Sequence, residues 1–93
     1  METVFITGAN KGIGFETAKQ LAKLGYYVYI GSRNKIKGVE AVSKLKALGL
    51  NNAECIEIDV TKMNSIKAAR KELENKIQHL DILINNAGIA GIM

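Results

Sequence analysis

The segment Gly8-Ala9-Asn10-Lys11-Gly12-Ile13-Gly14 stands between an apolar run, Val4-Phe5-Ile6, and the start of a helical pattern. A glycine-rich turn in that place leaves the chain few options. A strand ends there and a helix begins there. The helix N-terminus presents backbone N–H groups that lack intrahelical partners, and the aligned peptide dipoles add partial positive charge. Such a turn is a phosphate site. Each glycine has its own task. Gly8 reaches backbone angles closed to other residues as the strand ends. Gly12 lets a pyrophosphate approach the backbone, and Gly14 lets the first helical turn lie close to the strand. The offsets are G-x-x-x-G-x-G, not the standard G-x-G-x-x-G.

Periodicity extends this start along the chain. Gly14, Ala18, Leu21 and Gly25 fall at helical spacing, with Ala22 beside Leu21 and with Lys19, Gln20 and Lys23 outside. Gly25 suits the helix C-terminus. Tyr26 to Gly31 reads as a second strand, rich in β-branched and aromatic residues. A second helix is predicted from Lys35 to Leu48, with Val39, Val42 and Leu45 near one face, Ala41 and Leu48 beside them, and Gly49 as its stop. In Ala53 to Ile58, Glu54 and Glu57 stand among Cys55, Ile56 and Ile58, as in an edge strand. Thr61 or Asn64 is expected to cap a third helix, with an inner stripe of Met63, Ile66, Ala69, Leu73, Ile77 and Leu80. A last strand, Ile82-Leu83-Ile84, ends at Asn85-Asn86-Ala87-Gly88. Strands alternating with helices predict a parallel sheet, and right-handed crossovers predict the strand order 3-2-1-4. The expected fold class is therefore α/β, a three-layer sandwich around a Rossmann-type sheet with the order βαβαβαβ, cut off after the fourth strand.

Size and charge bound what this fold can do. The 93 residues make at most one domain, 1–93, which buries only about 60–65% of its unfolded surface. Cys55 is the only cysteine, so no disulfide forms within the chain, and it is expected to serve as packing. No cationic segment followed by an apolar one opens the chain, and no apolar run approaches the roughly 18 residues of a membrane helix. A cytoplasmic protein with no membrane partner is expected. The net charge of +4 is spread over three helical patterns, among Glu16, Glu40, Glu72 and Glu74, with no basic run and no interleaved aromatics. Nucleic acid is therefore not an expected partner. Solvated helix faces account for most of the charge, and a phosphate-bearing ligand for part of the rest. No metal site is expected, and His79 reads as a surface or cap residue.

Taken together, Thr7-Gly8-Ala9-Asn10-Lys11-Gly12-Ile13-Gly14, Asp59-Val60 and Asn85-Asn86-Ala87-Gly88 resemble the N-terminal half of a short-chain dehydrogenase/reductase. The resemblance runs from residue 3 to residue 91. It implies that Gly8, Gly12 and Gly14 form the pyrophosphate loop, with Asn10, Lys11 and Ile13 also among the cofactor-binding residues. It implies that Asp59 contacts the adenine amino group and that Val60 is the apolar neighbour of the adenine ring. Asn86, Ala87 and Gly88 match the loop beside the adenosine ribose, and Thr7 and Asn85 match structural braces. Plainer roles stay open beside these: Asp59 as the cap of the following turn, and the asparagines as a turn network.

The end of the second strand bears on the cofactor. A ribose-binding carboxylate is expected about 20 residues beyond the glycines. Here the strand ends Ile30-Gly31-Ser32-Arg33-Asn34, with Ser32 where the acid would stand. Arg33 follows, Lys35 and Lys37 are close, and Lys11 precedes Gly12. A guanidinium binds phosphate through two parallel hydrogen bonds. The arrangement is similar to that of NADP(H)-preferring members of the family, so Ser32, Arg33 and Asn34 join the expected site and NADP(H) is expected over NAD(H).

The catalytic residues that the resemblance implies, a Tyr-x-x-x-Lys pair with a serine and an asparagine, do not occur in these 93 residues. Tyr26, Tyr27 and Tyr29 all fall in the second strand and are expected to pack against helices. The expectation is an oxidoreductase acting on a small-molecule carbonyl or alcohol, of which this chain holds the adenosine–pyrophosphate half and is inactive alone. In the family further strands pair beside the fourth, so Ile82-Leu83-Ile84 is expected as an open edge prone to self-association. The second reading is a non-catalytic nucleotide-binding module that associates through that edge. A phosphate-loop NTPase is disfavoured because no Gly-Lys-Ser/Thr ends the loop. A methyltransferase leaves Asn85-Asn86-Ala87-Gly88 without explanation.

Overall fold

The structure, a computed structural model, describes residues 2–86. The chain runs β1 (Thr3–Thr7), α1 (Gly12–Lys23), β2 (Tyr27–Ser32), α2 (Lys35–Ala47), β3 (Ala53–Glu57), α3 (Met63–Lys76) and β4 (Ile82–Ile84). All strand pairs are parallel and the sheet order is β3-β2-β1-β4. This is one of the orders that right-handed crossovers allow, and the one of the dinucleotide fold.

The two central strands are apolar on both faces because helices cover both. Val4, Ile6, Val28 and Ile30 meet Ala18 and Ala22 of α1 and Ala41 and Leu45 of α2. On the other face, Phe5, Tyr29 and Ile56 meet Ala69 and Leu73 of α3. Alanines on the inner helix faces let the helices approach the sheet closely. Among the described residues two helices thus lie on one side and one on the other. Beside α3 lies an apolar groove of about 490 Å³, whose lining among the described residues includes Phe5, Ile58, Val60, Ile66, Leu80 and Leu83.

The structure corrects several local expectations. Val39 and Leu48 do not face inward; they are 50% and 57% exposed. The buried stripe of α2 is Gly38, Ala41 and Leu45. Met63 is 65% exposed, because the first turn of α3 points Ser65, not Met63, toward the chain before it. Neither Thr61 nor Asn64 caps α3; its N-cap is Lys62, with no side-chain cap bond. Ile77 and Leu80 belong to the apolar cluster but lie beyond the helix end at Lys76. Tyr26 precedes β2, which runs on to Ser32, and β3 stops at Glu57. Among the described residues no helix is long and apolar enough to cross a membrane.

Candidate functional site

The sheet order reverses between β1 and β4, since the chain steps outward through β2 and β3 and then returns to β4 on the far side of β1. In open parallel sheets the crevice beyond such a reversal, at the C-terminal strand ends, is where ligands bind. The glycine turn follows β1 there, and Asn85 and Asn86 follow β4.

Gly8 and Gly12 have φ of 65° and 63°, in the left-handed region that side chains oppose. A Cβ on Gly12 would meet nothing within 4 Å, so the backbone is open to an incoming group. Gly14 is tight instead: a Cβ there would stand 2.6 Å from the Gly8 carbonyl oxygen and 2.7 Å from Nδ2 of Asn86. The first turn of α1 carries no acidic residue, and its N-cap, Lys11, makes no side-chain cap bond. The helix dipole is thus uncompensated on the side that faces the crevice. Lys11 and Ile13 are exposed, Ile13 by 80%, and Asn10 is half-buried.

At the end of β2, Ser32 is buried and its hydroxyl donates to the Asn34 carbonyl at 2.7 Å. The Asn34 N–H donates back to that hydroxyl at 3.3 Å, and the Asn34 side chain accepts from the Lys37 N–H at 3.1 Å to cap α2. These bonds shape the turn and leave Arg33 exposed at its tip.

Beyond β3, Asp59 is half-buried, and its Oδ1 accepts from the Thr61 hydroxyl at 2.6 Å and the Thr61 N–H at 2.9 Å. Those two donors, the hydroxyl first, hold the carboxyl below the ordinary aspartate value; Lys62 and Arg33 add weaker attraction. The turn role left open for Asp59 is therefore realised. Its N–H donates to Ser65 Oγ at 2.7 Å. The Asp-x-Thr spacing was the signal for this turn; Ser65 carried none. Val60 is half-buried and lines the groove beside α3.

After β4, the Thr7 hydroxyl donates to Asn85 Oδ1 at 3.1 Å, and Asn86 Nδ2 donates to the Gly8 carbonyl at 3.1 Å. Both asparagines thus take part in a network between strand ends. Ala87 and Gly88 lie outside the described residues. The structure brings the glycine turn and Asn86 into contact, and places Arg33 and Asp59 at the same C-terminal edge. An uncapped helix N-terminus, an open glycine backbone and an exposed guanidinium suit a ligand with several phosphates.

A sequence profile described as short chain dehydrogenase matches residues 2–93. Short-chain dehydrogenase/reductase 1 of Saponaria officinalis is 44% identical over 90 residues, which cover 95% of this chain and 30% of that protein. The (-)-isopiperitenone reductase of Mentha piperita is also 44% identical over 90 residues, covering 94% of this chain and 29% of that protein. The structure of menthone neomenthol reductase from Mentha piperita superposes with a TM-score of 0.87 at 39% identity, over 91% of this chain and 31% of that one. The chain thus spans about 30% of the length of the curated relatives it matches.

Proposed function

Because the chain belongs to the short-chain dehydrogenase family, we propose that it holds the adenosine and pyrophosphate half of an NADP(H) site. The whole protein would be an oxidoreductase acting on a small-molecule carbonyl or alcohol. The observation that carries this reading is the glycine turn, open at Gly12 and set before an uncapped helix N-terminus at the reversal of strand order. The cofactor, when bound, supplies the hydride. The residues of this chain bind and orient it: Gly8, Gly12 and Gly14 through the backbone of the turn, Asp59 and Val60 at the adenine, Asn86 from the end of β4. The family's Tyr-x-x-x-Lys pair is not among these 93 residues, so the chain alone is expected to turn over no substrate.

Arg33 supports NADP(H) over NAD(H). It is exposed beside Ser32, whose neutral hydroxyl is spent inside the turn, so no carboxylate stands at that position to repel a 2′-phosphate. One hydrogen bond to a charged group contributes about 1.5–3 kcal/mol. Arg33→Ala should therefore weaken NADPH about tenfold or more in a fluorescence titration and leave NADH unchanged. Equal NADPH binding by the variant and the parent would remove the preference without touching the family assignment.

A second reading, a nucleotide-binding module that associates through its sheet edge, is favoured by β4. Among the described residues this strand pairs only with β1, and Leu83 is 62% exposed beside the apolar groove.

A further inference from the structure

We infer that two copies of this chain join β4 to β4 in an antiparallel pair centred on Leu83, which makes one continuous sheet of their two four-stranded sheets. This rests on the self-association reading above and deepens it, since it names the partner and the register. The backbone directions follow from the neighbouring strands. The Tyr27 N–H donates to the Glu2 carbonyl at 2.8 Å, so Glu2 turns its backbone groups toward β2. Successive residues of a strand turn theirs to opposite sides, so Val4 and Ile6 also face β2 and Phe5 faces β4. Phe5 stands opposite Leu83, and its N–H and C=O therefore meet Ile82 and Ile84. The Thr7 hydroxyl donates to the Ile84 carbonyl at 3.5 Å on that same side. The N–H and C=O of Leu83 are thus turned outward, away from β1.

One outward residue between two inward ones suits a closed, two-fold arrangement. With the axis at Leu83, perpendicular to the sheet, the two Leu83 residues exchange N–H···O bonds with Cα atoms about 5.5 Å apart. Both Leu83 side chains then lie on the face of the groove beside α3 and cover each other; in the single chain Leu83 is 62% exposed. On the other face Ile82 stands opposite the partner's Ile84, where each already packs against its own core. At the ends Asp81 meets the partner's Asn85, so the two Asp81 carboxylates lie at opposite ends of the pair. A parallel pair in the same register would set those carboxylates side by side, which is unfavourable. The other edge of the sheet is blunted by charge. Among the described residues β3 pairs only with β2, but it carries Glu54 and Glu57, and Glu54 is held by Tyr27 and Lys76. Ile82-Leu83-Ile84 carries no charged side chain. A second copy of this strand matches it in length, in apolar pattern and in the groups at its ends.

The test uses the 93-residue chain with Cys55→Ala, so that an introduced thiol is the only one. Leu83→Cys should form a disulfide dimer under mild oxidation, because paired Cα atoms at that spacing are within disulfide reach. Ile82→Cys alone and Ile84→Cys alone should not, since in this register each lies about 8 Å from its own copy, beyond the ~7 Å limit. A mixture of Ile82→Cys and Ile84→Cys chains should crosslink one to the other. Amide exchange in the unsubstituted chain is the second measurement. At about 90% dimer the Leu83 N–H should exchange about tenfold slower than at full dilution, while the Ile84 N–H, bonded to β1, stays protected throughout. In an associating chain, a Leu83→Cys variant that forms no disulfide, or an Ile82→Cys variant that forms it as readily, overturns the inference and leaves self-association standing. Leu83 exchange that ignores concentration in an associating chain overturns it equally. A chain that stays monomeric at every concentration ends both.

Discussion

Tyr27 shows how a single side chain joins elements that no local pattern connects. Its hydroxyl donates to Glu54 Oε1 at 2.8 Å, and Lys76 Nζ pairs with Glu54 Oε2 at 2.8 Å. Its ring stands 5.2 Å from that of Tyr29. The start of β2, the edge strand β3 and the end of α3 are thereby linked. Burial first, and the bond to Glu54 second, push the Tyr27 phenol up to about 12. A folded-state pKa raised above the unfolded value near 10 stabilises the fold fully below pH 10, and that contribution is lost as pH rises toward 12. Glu54 works in the opposite sense. The Lys76 ammonium, then the Tyr27 hydroxyl, hold its pKa below the ordinary value, so its contribution is present above that value and lost as pH falls through the lowered one. Absorbance near 295 nm should show a tyrosine ionising near pH 12, and Tyr27→Phe should remove that step. Denaturation midpoints should fall less between pH 10 and 12 in the variant than in the parent. At this scale the three turn glycines were readable because they mark a backbone need. The bonds of the Ser32 hydroxyl to the Asn34 carbonyl and N–H were not, because they depend on the backbone path of the folded turn.

At the scale of elements, α2 shows where periodicity misleads. Periodicity puts Val39, Val42 and Leu45 near one face, with Ala41 and Leu48 beside them. The helix buries Ala41 and Leu45 as expected, but its third buried residue is Gly38, while Val42 is only partly buried and Val39 and Leu48 are exposed. A glycine faces the sheet because the first turn of α2 runs against Cys55 and Ser32. A Cβ on Gly38 would collide with the Cys55 sulfur and lie 3.1 Å from Ser32 Cβ. Cys55 is thus packing, as its place in a strand implied, and burial pushes its thiol up, away from a reactive thiolate. Gly38→Ala gains about 1 kcal/mol of helix propensity but overpacks this contact at about 1–3 kcal/mol. A net loss of stability in urea denaturation is expected, and Cys55→Ala in the same chain should recover part of it. Independent, additive effects of the two substitutions would refute the contact. Met63 and Leu48 mislead for the same reason: apolar residues near helix ends are often left outside.

At the scale of the molecule, the two faces of the sheet are covered unequally. Among the described residues two helices shield one side and one shields the other, and the groove beside α3 lies next to β4. Among the described residues β4 pairs only with β1, and a strand edge with an exposed leucine beside an apolar groove is a template for pairing. Light scattering after gel filtration should therefore show mass rising with concentration, and Leu83→Lys should suppress that rise. A parent chain that stays monomeric at all concentrations would end the self-association reading. The pull of β4 onto β1 is strengthened below the strands: Asp81 accepts from the Thr3 N–H at 2.7 Å and pairs with His79 at 3.2 Å.

Periodicity along the chain was enough to establish the alternation of strands and helices and the parallel sheet, and the fixed hand of crossovers with the dinucleotide-type glycine turn pointed to its order. It also located the glycine turn, whose spacing with Asn85 and Asn86 pointed to the family. These properties are local or follow from chirality, so one dimension carries them. What polar atoms do once the chain is folded required three dimensions. Asn86 and Gly8 are 78 residues apart, Tyr27 and Glu54 27 apart, and their bonds exist only because parallel strands bring distant positions level. The same holds for the inward turn of Gly38, which depends on the depth of a sheet surface that no stretch of α2 encodes.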